Sequence, residues 1–216
     1  MTRPLLLGHR GARASRNVPE NTLASFGLCL QQGCDGFEFD VRRSADGQAV
    51  VCHDPVVRGM DIARTPSAIL GLPTFDEVLR AFSARAFLDI ELKVSGLESE
   101  TIRLLREHPP QKGYVVSSFL PQVLVAARAF DASVPLGFIC DKAAELELWD
   151  RLQVEWIIPQ LRLTDQTLIA QIHAAGKQVM VWTVNRPDEI RKLTQYGVDA
   201  IVSDETELAV RVLATS

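Results

Sequence analysis

Short apolar or alternating runs recur along the chain, separated by longer stretches in which apolar positions return every three or four residues. "PLLLG", "GFEFDV", "AFLDIEL", "GYVVSS", "VPLGFI", "EWIIP", "QVMVWTV" and "DAIVS" are each short and bounded by turn residues, as strands are. The intervening periodicity predicts helices at about 22–32, 74–83, 97–107, 121–130, 143–152, 165–175, 187–196 and 205–214. Asp165 and Pro187 stand where helices start, and Gly33, Gly176 and Gly197 where they stop. Eight strand-helix units with no break in composition predict an α/β fold, a single (β/α)8 TIM barrel domain over residues 1–216. A doubly wound sheet suits the pattern less, because eight units beginning with a strand and ending with a helix favour closure.

Two stretches depart from the rhythm. After the second strand, Asp46-Gly47 lies between β-prone runs and predicts a short hairpin that folds back over the barrel mouth and delivers His53 there. Residues 55–73 are rich in Gly, Pro and charge without clear periodicity, and are expected to form a loop on the same face.

Strand alternation then assigns faces. In "FEFDV", Phe37 and Phe39 share one face, suited to packing under helices, and Glu38 and Asp40 share the other. "FLDIELK" repeats the arrangement, with Leu88, Ile90 and Leu92 opposite Asp89, Glu91 and Lys93. Carboxylates would therefore point into the barrel near its C-terminal end, where enzymes of this architecture keep their sites. Such charges repel and are costly to desolvate, so either a cation compensates them or Arg10 and Lys93 pair them in a salt-bridged layer. As a ligand set, Glu38, Asp40 and Glu91 are all oxygen and suit Mg2+ or Ca2+ better than zinc.

Composition narrows the partners. The 216 residues are 47% hydrophobic and 23% charged, enough for a core. A formal net charge of −4 argues against broad nucleic-acid binding, so attraction for an anionic ligand must be local. Cys29, Cys34, Cys52 and Cys140 lack metal-ligand spacing, nothing before Leu5 resembles a signal peptide, and no apolar run approaches the roughly 20 residues of a membrane span. A soluble cytoplasmic protein without a membrane anchor is expected.

"GHRGA" ends the first strand with His9-Arg10-Gly11, a proton carrier beside a planar fork of donors. Together with "PENTLASF", "DGFEFDVRRSADGQAVVCHD", "LDIELK", "VSSF", "GKQVMVWTVN" and "GVDAIVSD", in that order from Leu7 to Asp204, it resembles the glycerophosphodiester phosphodiesterase family. The resemblance implies a metal-dependent TIM-barrel phosphodiesterase acting on a small-molecule glycerophosphodiester. It implies that His9 and His53 are the acid/base pair, that Arg10 holds the phosphate, that Glu38, Asp40 and Glu91 bind Mg2+ or Ca2+, and that Lys93 and Trp182 line the site. It further implies attack by the neighbouring glycerol hydroxyl, giving a cyclic phosphate that water opens to sn-glycerol 3-phosphate and an alcohol. Two stretches differ from the family's usual pattern: the spacer between His9-Arg10-Gly11 and Pro19-Glu20-Asn21 is a little longer, and residues 55–73 replace a larger lobe, which implies an open mouth.

Other residues carry plainer expectations. His108 and His173 are read as surface residues, Asp54 as the start of the turn at Pro55, and Asp204 as a cap for the last helix. Asn21 is either a helix cap or, with Glu20, a support for the histidines; Trp182 is either core or site lining. Three rival activities stay open: a lyase that stops at the cyclic phosphate, an aldolase using Lys93 as a Schiff base, and a non-catalytic phosphodiester-binding protein.

Overall fold

In a computed structural model describing residues 3–215, the strands in chain order are β1 (Leu5–His9), β2 (Gly36–Arg43), β3 (Ala49–Val51), β4 (Val56–Val57), β5 (Met60–Asp61), β6 (Phe87–Leu92), β7 (Tyr114–Ser118), β8 (Leu136–Cys140), β9 (Trp156–Pro159), β10 (Gln178–Val181) and β11 (Ala200–Ser203). The helices are α1 (Leu23–Gln32), α2 (Ser67–Leu70), α3 (Phe75–Phe82), α4 (Glu98–Glu107), α5 (Pro121–Phe130), α6 (Ala143–Leu146), α7 (Gln166–Ala174), α8 (Pro187–Tyr196) and α9 (Thr206–Leu213). Strands β1, β2 and β6–β11 are parallel neighbours, and β1 pairs with both β2 and β11, so the sheet closes into the eight-stranded TIM barrel.

The alternation read from the sequence decides what lies on each side of the barrel wall. Phe37 and Phe39 face outward under the helices, where Phe37 stacks on Phe26 of α1 with ring centroids 4.2 Å apart and meets Phe82 of α3 edge-on at 5.1 Å. Inside, Leu7, Phe87, Val115, Trp156, Ile158, Met180 and Val202 form a separate apolar cluster that fills the barrel interior. Gly36 shares the inward face of β2 with Glu38 and Asp40, and a Cβ there would lie 1.9 Å from the Phe87 carbonyl oxygen. Only glycine lets β2 and β6 approach in the register that sets Glu38 beside Asp89 and Asp40 beside Glu91.

The helix ends follow local chemistry. Thr22 caps α1 by accepting from the Ser25 N–H, Thr74 and Glu77 form a reciprocal capping box on α3, and Asp165 caps α7. Gly33 and Gly197 end α1 and α8 in the left-handed conformation. Asn21 is therefore not the cap of α1; Thr22 is.

Two regions differ from expectation. The helix read at 143–152 is short α6 followed by a 3-10 turn at Trp149–Arg151. Its apolar residues Leu146, Trp149 and Leu152 pack on the core at intervals of three, which suits three residues per turn better than 3.6. The loop read at 55–73 has local structure: the β4–β5 ribbon, a 3-10 turn at Ile62–Arg64 and α2, with Ile62 and Leu70 burying against Val50. The hairpin read around Asp46-Gly47 is present as the antiparallel β2–β3 pair, with Asp46 accepting from the Ser44 hydroxyl at 2.5 Å.

Candidate active site

Strand ends and barrel register gather the site. Pairing of β1 with β2 sets His9 beside Glu38, and pairing of β2 with β6 sets Asp40 beside Glu91. Beyond β3 the chain returns to the mouth through a hydrogen bond from the Cys52 N–H to the Asp40 carbonyl at 3.0 Å, which brings in His53. One cavity is lined by His9, Arg10, Glu38, His53, Asp89, Glu91, Lys93 and Trp182, with Phe119, Ile139, Ile158 and Val202 as its apolar wall. Of the eight residues singled out from sequence, seven line it; the eighth, Asp40, lies just behind, 1% exposed.

The His9-Arg10-Gly11 turn is tight. Gly11 has φ +83°, and a Cβ on it would lie 2.5 Å from the Ser25 hydroxyl oxygen. Arg10, also at positive φ, turns its backbone N–H onto Glu38 Oε2 at 2.9 Å and its Nη1 onto Glu20 at 2.7 Å. Asn21 donates from Nδ2 to Asp40 Oδ2 at 2.8 Å, so the "PEN" triplet braces the acids and the arginine.

Both histidines are held the same way. His9 Nδ1 lies 2.7 Å from Asp204 Oδ1, and His53 Nδ1 lies 2.7 Å from Asp54 Oδ1. An ionised carboxylate only accepts, so Nδ1 carries the proton in each ring and Nε2 is left to exchange one. Burial lowers the His53 pKa below its ordinary value, against the opposing pull of Asp54 and Asp40. Asp204 and Asp54 thus have roles that sequence reading missed, having taken them for a helix cap and a turn residue. His108 and His173 lie away from this cavity, against Asp76 at 3.3 Å and Asp199 at 2.8 Å.

The acids form one coupled group. Glu38, Asp40 and Glu91 each offer an oxygen within 4.8 Å of the others. Lys93 Nζ lies 2.5 Å from Glu91 and 3.3 Å from Asp40, and Arg10 Nε lies 3.3 Å from Asp40, so the salt-bridged layer anticipated from sequence exists. It is incomplete at Glu38, whose Oε1 is buried without a hydrogen-bond partner, whereas Asp40 Oδ1 makes no hydrogen bond but is ion-paired with Lys93. Burial, then the charges of Asp40 and Glu91, drive the Glu38 carboxyl well above the usual range. Burial and the Asp40 charge push Glu91 up to about 7 against Lys93, and burial pushes Asp89 up to about 7 despite a hydrogen bond from Ser117. Burial also opposes ionisation of Asp40, but Lys93, Asn21 and Arg10 outweigh it and hold that carboxyl below its ordinary value.

Lys93 cannot serve as a Schiff-base nucleophile in this setting. Burial would lower its pKa, but Glu91 and Asp40 overcome that and raise it, so the amine stays protonated. The aldolase reading is set aside on this ground. Trp182 satisfies both of its sequence readings: the indole N–H donates to the Ile158 carbonyl at 3.0 Å, and the ring meets Phe119 edge-on at 5.5 Å while lining the cavity.

A TIM barrel with histidines, basic side chains and clustered acids at its C-terminal mouth has the layout of an enzyme that handles an anionic substrate. The sequence profile of the glycerophosphoryl diester phosphodiesterase family matches residues 9–67 and 65–208, and the chain belongs to that family. It is 26% identical to a glycerophosphodiester phosphodiesterase of Caldanaerobacter subterraneus subsp. tengcongensis, over 97% of each chain. Among solved structures it resembles an Oleispira antarctica phosphodiesterase in complex with the product sn-glycerol-3-phosphate, at 30% identity and TM-score 0.87, covering 98% of this chain and 97% of that one. The fold is also that of a Thermotoga maritima glycerophosphodiester phosphodiesterase, with TM-score 0.85 at 24% identity, covering 98% and 99% of the two chains.

Proposed function

We propose that the chain, acting as one barrel domain, hydrolyses glycerophosphodiesters to sn-glycerol 3-phosphate and an alcohol, with a divalent cation at Glu38, Asp40 and Glu91. The observation that carries this reading is two histidines, each with Nδ1 on a carboxylate, lining one cavity with clustered acids, an arginine and a lysine. The similarity to the Oleispira phosphodiesterase supports the product. No helix among the described residues is long and apolar enough to cross a membrane, and four unpaired thiols support a cytoplasmic location.

The acids fit the cation. Their oxygens are hard ligands, Glu38 Oε1 is buried without a hydrogen-bond partner, and neither Lys93 nor the Arg10 guanidinium makes an ion pair with Glu38, whose nearest ring nitrogen is His9 Nε2 at 3.9 Å. When bound, Mg2+ or Ca2+ would neutralise charge on the phosphoryl oxygens. Arg10 and Lys93 hold the same anion from the protein side, and Trp182 lines the pocket for the carbon skeleton.

In the first step the glycerol hydroxyl next to the ester attacks phosphorus. One histidine takes its proton at Nε2, and the other gives a proton to the departing alcohol oxygen, leaving a cyclic phosphate. In the second step the roles reverse: a water loses its proton to the second histidine and opens the ring, and the first returns a proton to the glycerol oxygen. The deciding experiment assays glycerophosphodiesters differing in the alcohol, with Mg2+, Ca2+ or chelator. We expect metal-dependent release of sn-glycerol 3-phosphate. Accumulation of cyclic phosphate alone would make the chain a lyase, and binding without turnover would make it non-catalytic.

The raised carboxyls give a second test with a fixed sign. Between about pH 4.5, the ordinary glutamate range, and about 7, the metal-free folded chain binds more protons at Glu91 and Asp89 than the unfolded chain does. Stability contributed by these groups is therefore present at low pH and lost as pH rises through the window. A cation offsets the same negative charges, so its gain in Tm should be small near about pH 5 and larger near about pH 8. Thermal unfolding with Mg2+, Ca2+ or chelator checks this; an equal gain at both values would place cation binding elsewhere.

A further inference from the structure

The loop between Gly11 and Pro19 carries an arginine that the mechanism above does not use. Arg13 stands with its guanidinium between two carboxylates. Nε donates to Glu20 Oε2 at 2.6 Å, and Nη1 donates to Asp204 Oδ1 at 3.1 Å. Each carboxylate also serves one group of the site: Glu20 Oε1 accepts from Arg10 Nη1 at 2.7 Å, and Asp204 Oδ1 accepts from His9 Nδ1 at 2.7 Å. The backbone adds a tie, from the Ala14 N–H to the Asp204 carbonyl at 3.2 Å.

We infer that Arg13 is a positioning residue that locks the His9–Asp204 and Arg10–Glu20 pairs into one unit, fixing the proton carrier relative to the phosphate holder. This rests on the roles proposed above for His9 and Arg10. Arg13 is not among the residues lining the cavity, and its Nη1 lies 3.4 Å from His9 Nδ1, the nitrogen turned toward Asp204, so it acts through the carboxylates. The geometry asks for arginine in particular. A guanidinium is a rigid plane whose nitrogens have fixed separation, so it sets the spacing of the two carboxylates, whereas a lysine ammonium is one point on a flexible stem. Asp204 keeps a second anchor, Asn185 Nδ2 at 2.8 Å on Oδ2, so losing Arg13 would leave the carboxylate in place but free to tilt. Glu20 is exposed enough to swing toward solvent, with 36% of its side chain accessible, and Arg10 would move with it.

The test is a pair of double-mutant cycles. Arg13→Gln should lower kcat and raise KM, each by roughly tenfold, the scale for a misplaced reacting group. The kcat effect should be non-additive with Asp204→Asn, and the KM effect non-additive with Glu20→Gln. Arg13→Lys should restore neither, while Arg16→Gln, an exposed arginine of the same loop, should leave both unchanged. Additive cycles, or wild-type kinetics in Arg13→Lys, would overturn the inference, and Arg13→Lys preserves the test if Arg13→Gln fails to fold. A readout without turnover keeps this separate from the proposed activity: the proton NMR signal of His9 Nδ1–H, assigned by its loss in His9→Ala. Its exchange with water should speed up roughly tenfold in Arg13→Gln as the Asp204 contact loosens. An unchanged exchange rate would refute the coupling even if the chain proved inactive on every glycerophosphodiester.

Discussion

Replacing His9 or His53 by alanine should lower kcat by roughly a hundredfold or more, with a smaller change in KM, because in the proposed mechanism each ring moves a proton in the transition state. The expectation follows from how the rings are held. Asp204 and Asp54 each take up Nδ1 at 2.7 Å, which leaves both Nε2 atoms free for the cavity. Asp204→Asn should also lower kcat, since an amide can donate to Nδ1 and favour the opposite tautomer, moving the proton onto Nε2. The controls are His108→Ala and His173→Ala. Those residues lie ahead of β7 and β10, on the side of the barrel opposite the mouth, so their loss should leave kcat unchanged. Steady-state kinetics on folded variants checks all four positions. A control as inactive as His9→Ala, without unfolding, would show the site to be misplaced.

What could be read in the sequence was whatever obeys a local period. The alternation of β2 and β6 put Glu38, Asp40, Glu91 and Lys93 on the inward face, and the Asp46-Gly47 turn returned His53 to the mouth. The partner of His9 obeys no such period. Asp204 lies 195 positions away and meets His9 because barrel closure pairs Gly8 with Ser203, a register that no short window contains. Asp54 was hidden for a different reason: beside a proline it already had a sufficient explanation as a turn former. Asn21 was ambiguous because its neighbour Thr22 is an equally good cap, and only the turn of the chain at Arg10 shows which of them faces Asp40. The break in the helix read at 143–152 does have a local signal, in the spacing of three between Leu146, Trp149 and Leu152.

A glycerophosphodiester whose hydroxyl next to the phosphate ester is removed or methylated should bind with near-normal affinity and turn over slower by roughly a thousandfold or more, the advantage of a tethered nucleophile. The cavity itself supplies the argument. Among the residues lining it none carries a hydroxyl or a thiol. The nearby hydroxyls are committed: Ser117 donates to Asp89 at 2.5 Å, Ser118 to the Leu92 carbonyl at 2.7 Å, and Ser203 to Asn185 at 3.2 Å. Cys52 precedes His53 but lines the outer groove with Val56, Val57 and Leu72, and burial raises its thiol pKa, which disfavours the thiolate needed for attack. A covalent phosphoryl-enzyme therefore has no hydroxyl or thiol to carry it at this site, and with His9 and His53 assigned to proton transfer the nucleophile comes from the substrate or from water. The glycerol hydroxyl reaches phosphorus through a five-membered ring without loss of translational freedom, whereas a water must be captured and oriented for each turnover. Competition experiments should give the altered diester an inhibition constant close to the parent's KM, and phosphorus NMR of the parent reaction should show a transient cyclic phosphate. Turnover of the altered diester at the parent's rate would mean that water attacks directly, with His9 or His53 as its base from the first step.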